Sequence, residues 1–71
     1  MTKQEFIKDK LQFIQSMIEF NNEFIHNMQE LRGNREIDYD YMTQAIESTS
    51  EQTLKSIAKC MNGITKALKE F

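Results

Sequence analysis

The chain contains no proline and only two glycines, Gly33 and Gly63, among its 71 residues. Those two residue types punctuate sheets and irregular loops, so their scarcity favours long helices. A lone cysteine, Cys60, excludes an internal disulfide and fits a reducing compartment such as a cytoplasm. No apolar run approaches the roughly 20 residues of a membrane span. The opening Met1-Thr2-Lys3-Gln4-Glu5 lacks the apolar stretch and small-residue cleavage site of a secretory signal, so an N-terminal secretory route is not expected. Nine basic and eleven acidic residues leave a net charge of −2. That balance gives no electrostatic basis for a broad nucleic-acid surface or for binding an anionic membrane. The length suits one domain, residues 1–71. A domain this short buries a smaller share of its surface than a large one, and a single hairpin core of this size rarely stabilises itself well without a disulfide, a metal or a partner.

What is present is helical periodicity. Phe6, Ile7, Leu11, Phe13, Ile14, Met17, Ile18, Phe20, Phe24, Ile25, Met28 and Leu31 fall within about half the circumference of a helix at roughly 100° per residue. The stripe has a phenylalanine edge (Phe6, Phe13, Phe20, Phe24) and an aliphatic edge (Ile7, Leu11, Ile14, Ile18, Ile25). It is wider than one facing helix needs, which predicts two neighbours. Arg32-Gly33-Asn34 ends the helix, with Gly33 expected in the left-handed conformation that closes a C-terminus. Asp38 is the next N-cap, Ile37 and Met42 form a candidate hydrophobic staple, and Asp40 suits the helix dipole. In the second helix Leu54, Ile57, Met61, Ile64, Leu68 and Phe71 make a three-four repeat. Thr49 with Gln52 resembles a capping box, so a break near Thr49 is the alternative to a continuous helix. Gly63 costs roughly 1 kcal/mol in a helix relative to alanine, yet the repeat runs past it.

The expected fold is therefore all-α: a two-helix antiparallel hairpin with a helix over about 3–32, a turn over about 33–37 and a helix over about 38–70. A stripe of small residues, Thr53, Ser56, Cys60, Gly63 and Ala67, supports the pairing. With Arg32 facing Tyr41 across the turn, paired numbers sum to 73. Phe6 then lies level with Ala67, Phe13 with Cys60 and Phe20 with Thr53, large opposite small. On this reading the phenylalanine edge packs inside the hairpin and the aliphatic edge faces a partner.

The sequence offers no catalytic constellation, so an enzyme is not expected. His26 and Cys60 are a poor beginning for a zinc site, which needs three or four ligands. His26 reads as a surface residue and Cys60 as a small hydrophobe without a base to activate it. Glu19, Glu23 and Glu30 solvate the outer side of the first helix. No phosphate loop or metal motif is present, and no cofactor is expected. Two polar residues interrupt the apolar stripe. Lys10 is expected to pack its stem and send its ammonium to water. Asn21 is either an edge residue or a buried polar group that fixes register and partner. Tyr39 and Tyr41 flank the turn, as tip packing or as partner anchors. The candidate partner-binding residues are Ile7, Leu11, Ile14, Ile18, Asn21, Ile25, Leu54, Met61 and Leu68.

The run from Arg32-Gly33 through Tyr39 to Tyr41-Met42 resembles the turn of the small co-chaperones of the type III secretion needle protein, the YscE, PscE and EscE type. Asp38 stands where that family usually has glutamine, and this chain is richer in phenylalanine. The resemblance implies a long first helix, an Arg-Gly turn and a long second helix. It also implies a role in the bacterial cytoplasm: pairing with a helical-repeat, tetratricopeptide-like chaperone that holds the needle subunit monomeric. Two other readings compete. The hairpin and the first residues are similar to plasmid RNA-binding four-helix-bundle regulators of the Rop type, which are homodimers; here the outer glutamates repel phosphate. A phage-type inhibitor of a host protein is the third. Self-association of the isolated chain, as a homodimer or higher species, is compatible with several of them.

Overall fold

The first helix opens on a cap that the sequence reading passed over. Thr2 has an extended backbone, and its hydroxyl oxygen accepts a hydrogen bond from the Glu5 backbone N–H at 3.1 Å. Thr2 and Glu5 have the spacing of a capping box, which marks a helix start. From there the computed structural model, which describes residues 2–70, runs as two helices. They are α1, Lys3–Gly33, and α2, Tyr39–Glu70. The all-α hairpin is as expected, with α1 one residue longer at its C-terminus.

The turn closes differently from the expectation. Gly33 is helical, and neither it nor Asn34, at φ −85°, is left-handed. Arg35 takes that role, with φ 60°. The Glu36 N–H donates to the Leu31 carbonyl at 2.9 Å and the Arg35 N–H to the Arg32 carbonyl at 3.0 Å. This is the paired-bond pattern of a Schellman motif, and it satisfies carbonyls that the helix end leaves open. The motif needs its left-handed residue two positions beyond the glycine, because α1 has not ended at Gly33. Asp38 caps α2 as expected, its carboxylate accepting from the Tyr41 N–H at 2.7 Å. Ile37 and Met42 are both half-buried, at the two positions of a staple. Tyr39 and Tyr41 are exposed, so the tip is not closed by tyrosine packing. α2 passes through Ser48–Gln52 without a break.

The helices meet along a narrow seam. On α1 the inward positions are Lys3, Ile7, Lys10, Ile14, Met17, Asn21, Phe24, Met28 and Leu31, alternately four and three residues apart. That is a seven-residue repeat, the period that keeps one line of side chains on a partner helix and winds the pair left-handed. On α2 the line runs through Ile46, Thr49, Thr53, Cys60, Gly63 and Ala67. The register follows the expected sum of 73. Lys10 Cε lies 4.0 Å from where a Cβ on Gly63 would stand, and Asn21 meets Ser50 and Thr53.

Burial along this seam is shallow. Among the described residues only Cys60, 8% exposed, and Ala67, 4% exposed, are buried. The molecule is a rod with extents of 52 × 15 × 10 Å. Its radius of gyration is 16.2 Å, against roughly 11 Å for a compact domain of this length.

Two backbone positions give stability tests. A methyl group on Gly63 meets only the Lys10 stem, at ordinary contact distance. Gly63→Ala should therefore stabilise the fold by about 1 kcal/mol through helix propensity. Arg35→Gly should add a similar amount, about 1 kcal/mol, by relieving a left-handed non-glycine residue. Urea unfolding midpoints at matched protein concentration check both; a lower midpoint for either variant contradicts the packing described.

Candidate functional site

α2 carries two lines of inward-type residues one position apart. The small-residue line faces α1. The line Leu54, Ile57, Met61, Ile64, Leu68 lies beside it and is only partly covered. Ile57 and Ile64 are half-buried, whereas Leu54 (65% exposed), Met61 and Leu68 stand in solvent. Phe71, the sixth member of that repeat, lies outside the described residues. On α1, Leu11 and Ile18 are likewise exposed. A groove lined by Leu11, Ile14, Met61, Ile64 and Thr65 joins the two helices on this side. Leu11 and Ile18 are seven apart, as are Leu54, Met61 and Leu68, so all five follow one side of the rod.

The same positions change character toward the turn. Stepping back along α2 by sevens from Leu54 reaches Glu47 and Asp40; stepping forward along α1 from Ile18 reaches Ile25 and then Arg32. The apolar face therefore occupies the open-end half of the hairpin. Its edges there carry Gln4, Lys8 and Gln15 on α1, and Glu51, Ala58 and Thr65 on α2.

The expected division of α1 into an inner phenylalanine edge and an outer aliphatic edge does not hold. Phe13 and Phe20 are 56% and 64% exposed. Phe6 and Phe24 are half-buried, as are Ile7, Ile14 and Ile25. The seam runs down the middle of the apolar stripe and leaves both edges outside. Of the three expected pairings of a ring with a small residue, Phe6 does line a groove with Gly63 and Ala67, whereas Phe13 and Phe20 stand outside the seam. Lys10 takes the space at Gly63, and its Nζ sits 5.4 Å from the Phe6 ring centroid, a cation–π distance. The phenylalanine side is chemically mixed, with Asp9 and Lys10 beside Phe13, and Lys66 and Glu70 near Phe6.

Of the nine candidate partner-binding residues, Leu11, Ile18, Leu54, Met61 and Leu68 are exposed, and Ile7, Ile14 and Ile25 are shared with the hairpin seam. Asn21 is turned inward. Its amide nitrogen and oxygen lie 3.2 and 3.3 Å from Ser50 Oγ. The Thr53 hydroxyl is shared between the Thr49 carbonyl at 3.0 Å and Asn21 Oδ1 at 3.5 Å. This cluster is a polar cross-link between the helices, the kind of buried polar contact that favours one register. Nothing in the spacing of Ser50 and Thr53 alone marked them as its members.

No group of histidine, cysteine and acidic residues suited to a metal occurs among the described residues. His26 pairs with Glu30 at 3.1 Å on the outer side of α1. No helix among the described residues is long and apolar enough to cross a membrane. Comparison of the chain with protein-family models, curated proteins and solved structures finds no match. What fold and surface define is an all-α helical hairpin with an uncovered apolar half-face.

Asn21→Leu tests the cross-link. The variant should unfold at higher denaturant, because an apolar seam replaces a polar one, while losing uniqueness of pairing. Sedimentation should then show more than one species where the parent chain shows one. A variant with a single species and unchanged stability removes the register role.

Proposed function

We propose that the chain is a non-enzymatic binding protein that is completed by docking its apolar half-face on a helical partner. The observation that carries this is the pairing of five exposed large apolar side chains with a hairpin that buries only Cys60 and Ala67 among the described residues. Fully burying a side chain of this kind is worth roughly 1.5–3 kcal/mol. These five are 45–65% exposed, so each has about half of that to gain, and together they offset part of the cost of association.

Within that reading, the Arg32–Met42 turn supports a more specific role as a co-chaperone of type III secretion in the bacterial cytoplasm. The partner is then a helical-repeat, tetratricopeptide-like chaperone whose terminal helix is otherwise uncovered. That chaperone in turn holds the needle subunit monomeric. The small chain acts by covering a surface and carries out no chemical step. The Rop-type reading is weaker, because Glu19, Glu23 and Glu30 are all exposed on the outer side of α1, where RNA would lie.

A tagged chain should capture a helical-repeat chaperone together with a small needle-like subunit from its native cytoplasm. Ile18→Asp and Leu54→Asp should each weaken that complex at least about tenfold, a loss of about 1.4 kcal/mol. Helix content by circular dichroism controls for folding. Ile14→Asp is a poorer probe, since Ile14 also belongs to the hairpin seam. Unchanged capture by both exposed-residue variants overturns the docking surface. Recovery of structured RNA instead of protein overturns the co-chaperone role.

A further inference from the structure

The apolar half-face has a symmetry of its own. Along α2 its exposed members are Leu54, Met61 and Leu68, with Met61 seven residues from each end. By the hairpin register, Met61 is level with Gln12, midway between the levels of Leu54 and Leu68. Leu11 and Ile18 lie within the same span of α1. A two-fold axis perpendicular to the rod beside Met61 maps the α2 line onto itself and brings Leu11 close to Leu11 of the other copy, while Ile18 comes level with the stretch between Gln4 and Lys8.

We propose that the occupant of this half-face is a second copy of the chain, packed antiparallel about that axis. Leu54 of one copy meets Leu68 of the other, and the two Met61 side chains meet near the axis. The open-end halves overlap, and the two turn ends project in opposite directions.

Three observations select this occupant and this register. The first is area. The chain exposes 5,691 Å². A stable monomer of 8.4 kDa exposes roughly 4,600 Å². The excess is somewhat more than the roughly 800 Å² per partner that a standard interface buries. The second is charge. In a two-fold interface a surface meets itself, so a charge near the axis faces its own copy. Leu11, Ile18, Leu54, Met61 and Leu68 carry none. Beside them Lys8 shares a groove with Leu11 and Gln15, and Glu51 stands seven residues before Ala58. About the Met61 axis Lys8 comes level with Gln15 and Ser16 of the other copy, so it does not meet itself. The phenylalanine side places four charges, Asp9, Lys10, Lys66 and Glu70, at its grooves. The third is the boundary at Glu47. A full-length overlap would set Glu47 and Asp40 against apolar positions of the other copy, where an unpaired charge is costly to bury. The half-length overlap leaves both in water.

This association uses the docking surface proposed above but does not depend on the co-chaperone role. It would compete with any hetero-partner for the same side chains.

Sedimentation equilibrium of the purified full chain, with charge variants, tests it. The parent chain should sediment at twice its 8.4 kDa mass over the micromolar range. Leu54→Lys and Leu68→Glu should each be monomeric. An equimolar mixture of the two variants should regain the dimer, because the introduced lysine then faces the introduced glutamate across the axis. Within one chain the two positions are fourteen residues apart, roughly 21 Å along a helix, so no internal pair can mimic this result. If the single variants also lose helix, the mixture should restore it. A mixture that fails to reassociate, or single variants that dimerise like the parent, overturns the arrangement. A monomeric parent that binds an apolar dye overturns the dimer and leaves the hetero-partner reading standing. A monomeric parent that binds no dye overturns both.

Discussion

Two helices share one line of contact, and a helix that is apolar over half its circumference has more surface than one line can cover. That geometric constraint governs this chain. The α1 stripe spans about 180°, and the seam with α2 uses its middle. Whatever lies on either edge stays in solvent unless a third helix arrives. The shallow burial at Cys60 and Ala67 and the exposed Leu11, Phe13, Ile18 and Phe20 are consequences of the same shortfall.

The seam itself is built for closeness more than for volume. Thr53, Cys60, Gly63 and Ala67 let α1 approach, and Lys10 and Asn21 occupy positions where a self-sufficient coiled coil would place aliphatic residues. The Asn21, Ser50 and Thr53 cluster gains specificity of register at a cost in apolar burial. The strongest apolar repeat of α2 is only partly spent on α1: Ile57 and Ile64 are half-buried, while Leu54, Met61 and Leu68 are offset to one side. A chain selected to be stable alone would place its large residues in its own seam. Here the intramolecular pairing leaves Leu11, Ile18, Leu54, Met61 and Leu68 about half exposed.

Much of this was legible in the sequence because helix signals are local. The three-four spacing, the Asp38 cap and the continuation past Gly63 each depend on a few neighbouring residues, and each was read as the structure has it. The pairing register was also legible, since a short turn leaves little freedom. The misreadings came where two solutions share one local signal. Gly33 is the residue best suited to a left-handed closure, yet the helix runs through it and Arg35 takes the strained position. The choice is made by where the Schellman bonds fall. The phenylalanine edge was misplaced for a related reason. Matching large rings to small residues is a rule for filling volume, but a glycine or alanine in a helix pair serves as well to bring two backbones together. Which use prevails depends on a rotation of α1 of a few tens of degrees about its axis, and composition does not determine that.

That rotation is also what gives the surface its character. Turned one way, the phenylalanines would be inside and the exposed side would be a continuous aliphatic strip shared by Ile7, Leu11, Ile14 and Ile18. Turned as it is, Ile7 and Ile14 are half-buried, and the exposed apolar face is composite, with two members from α1 and three from α2. A composite face exists only while the hairpin is closed in its register, because sliding one helix by a turn would separate Leu11 from Met61. The polar cross-link of Asn21 with Ser50 and Thr53 favours one register, and with it one set of side chains standing together on the outside at the open end.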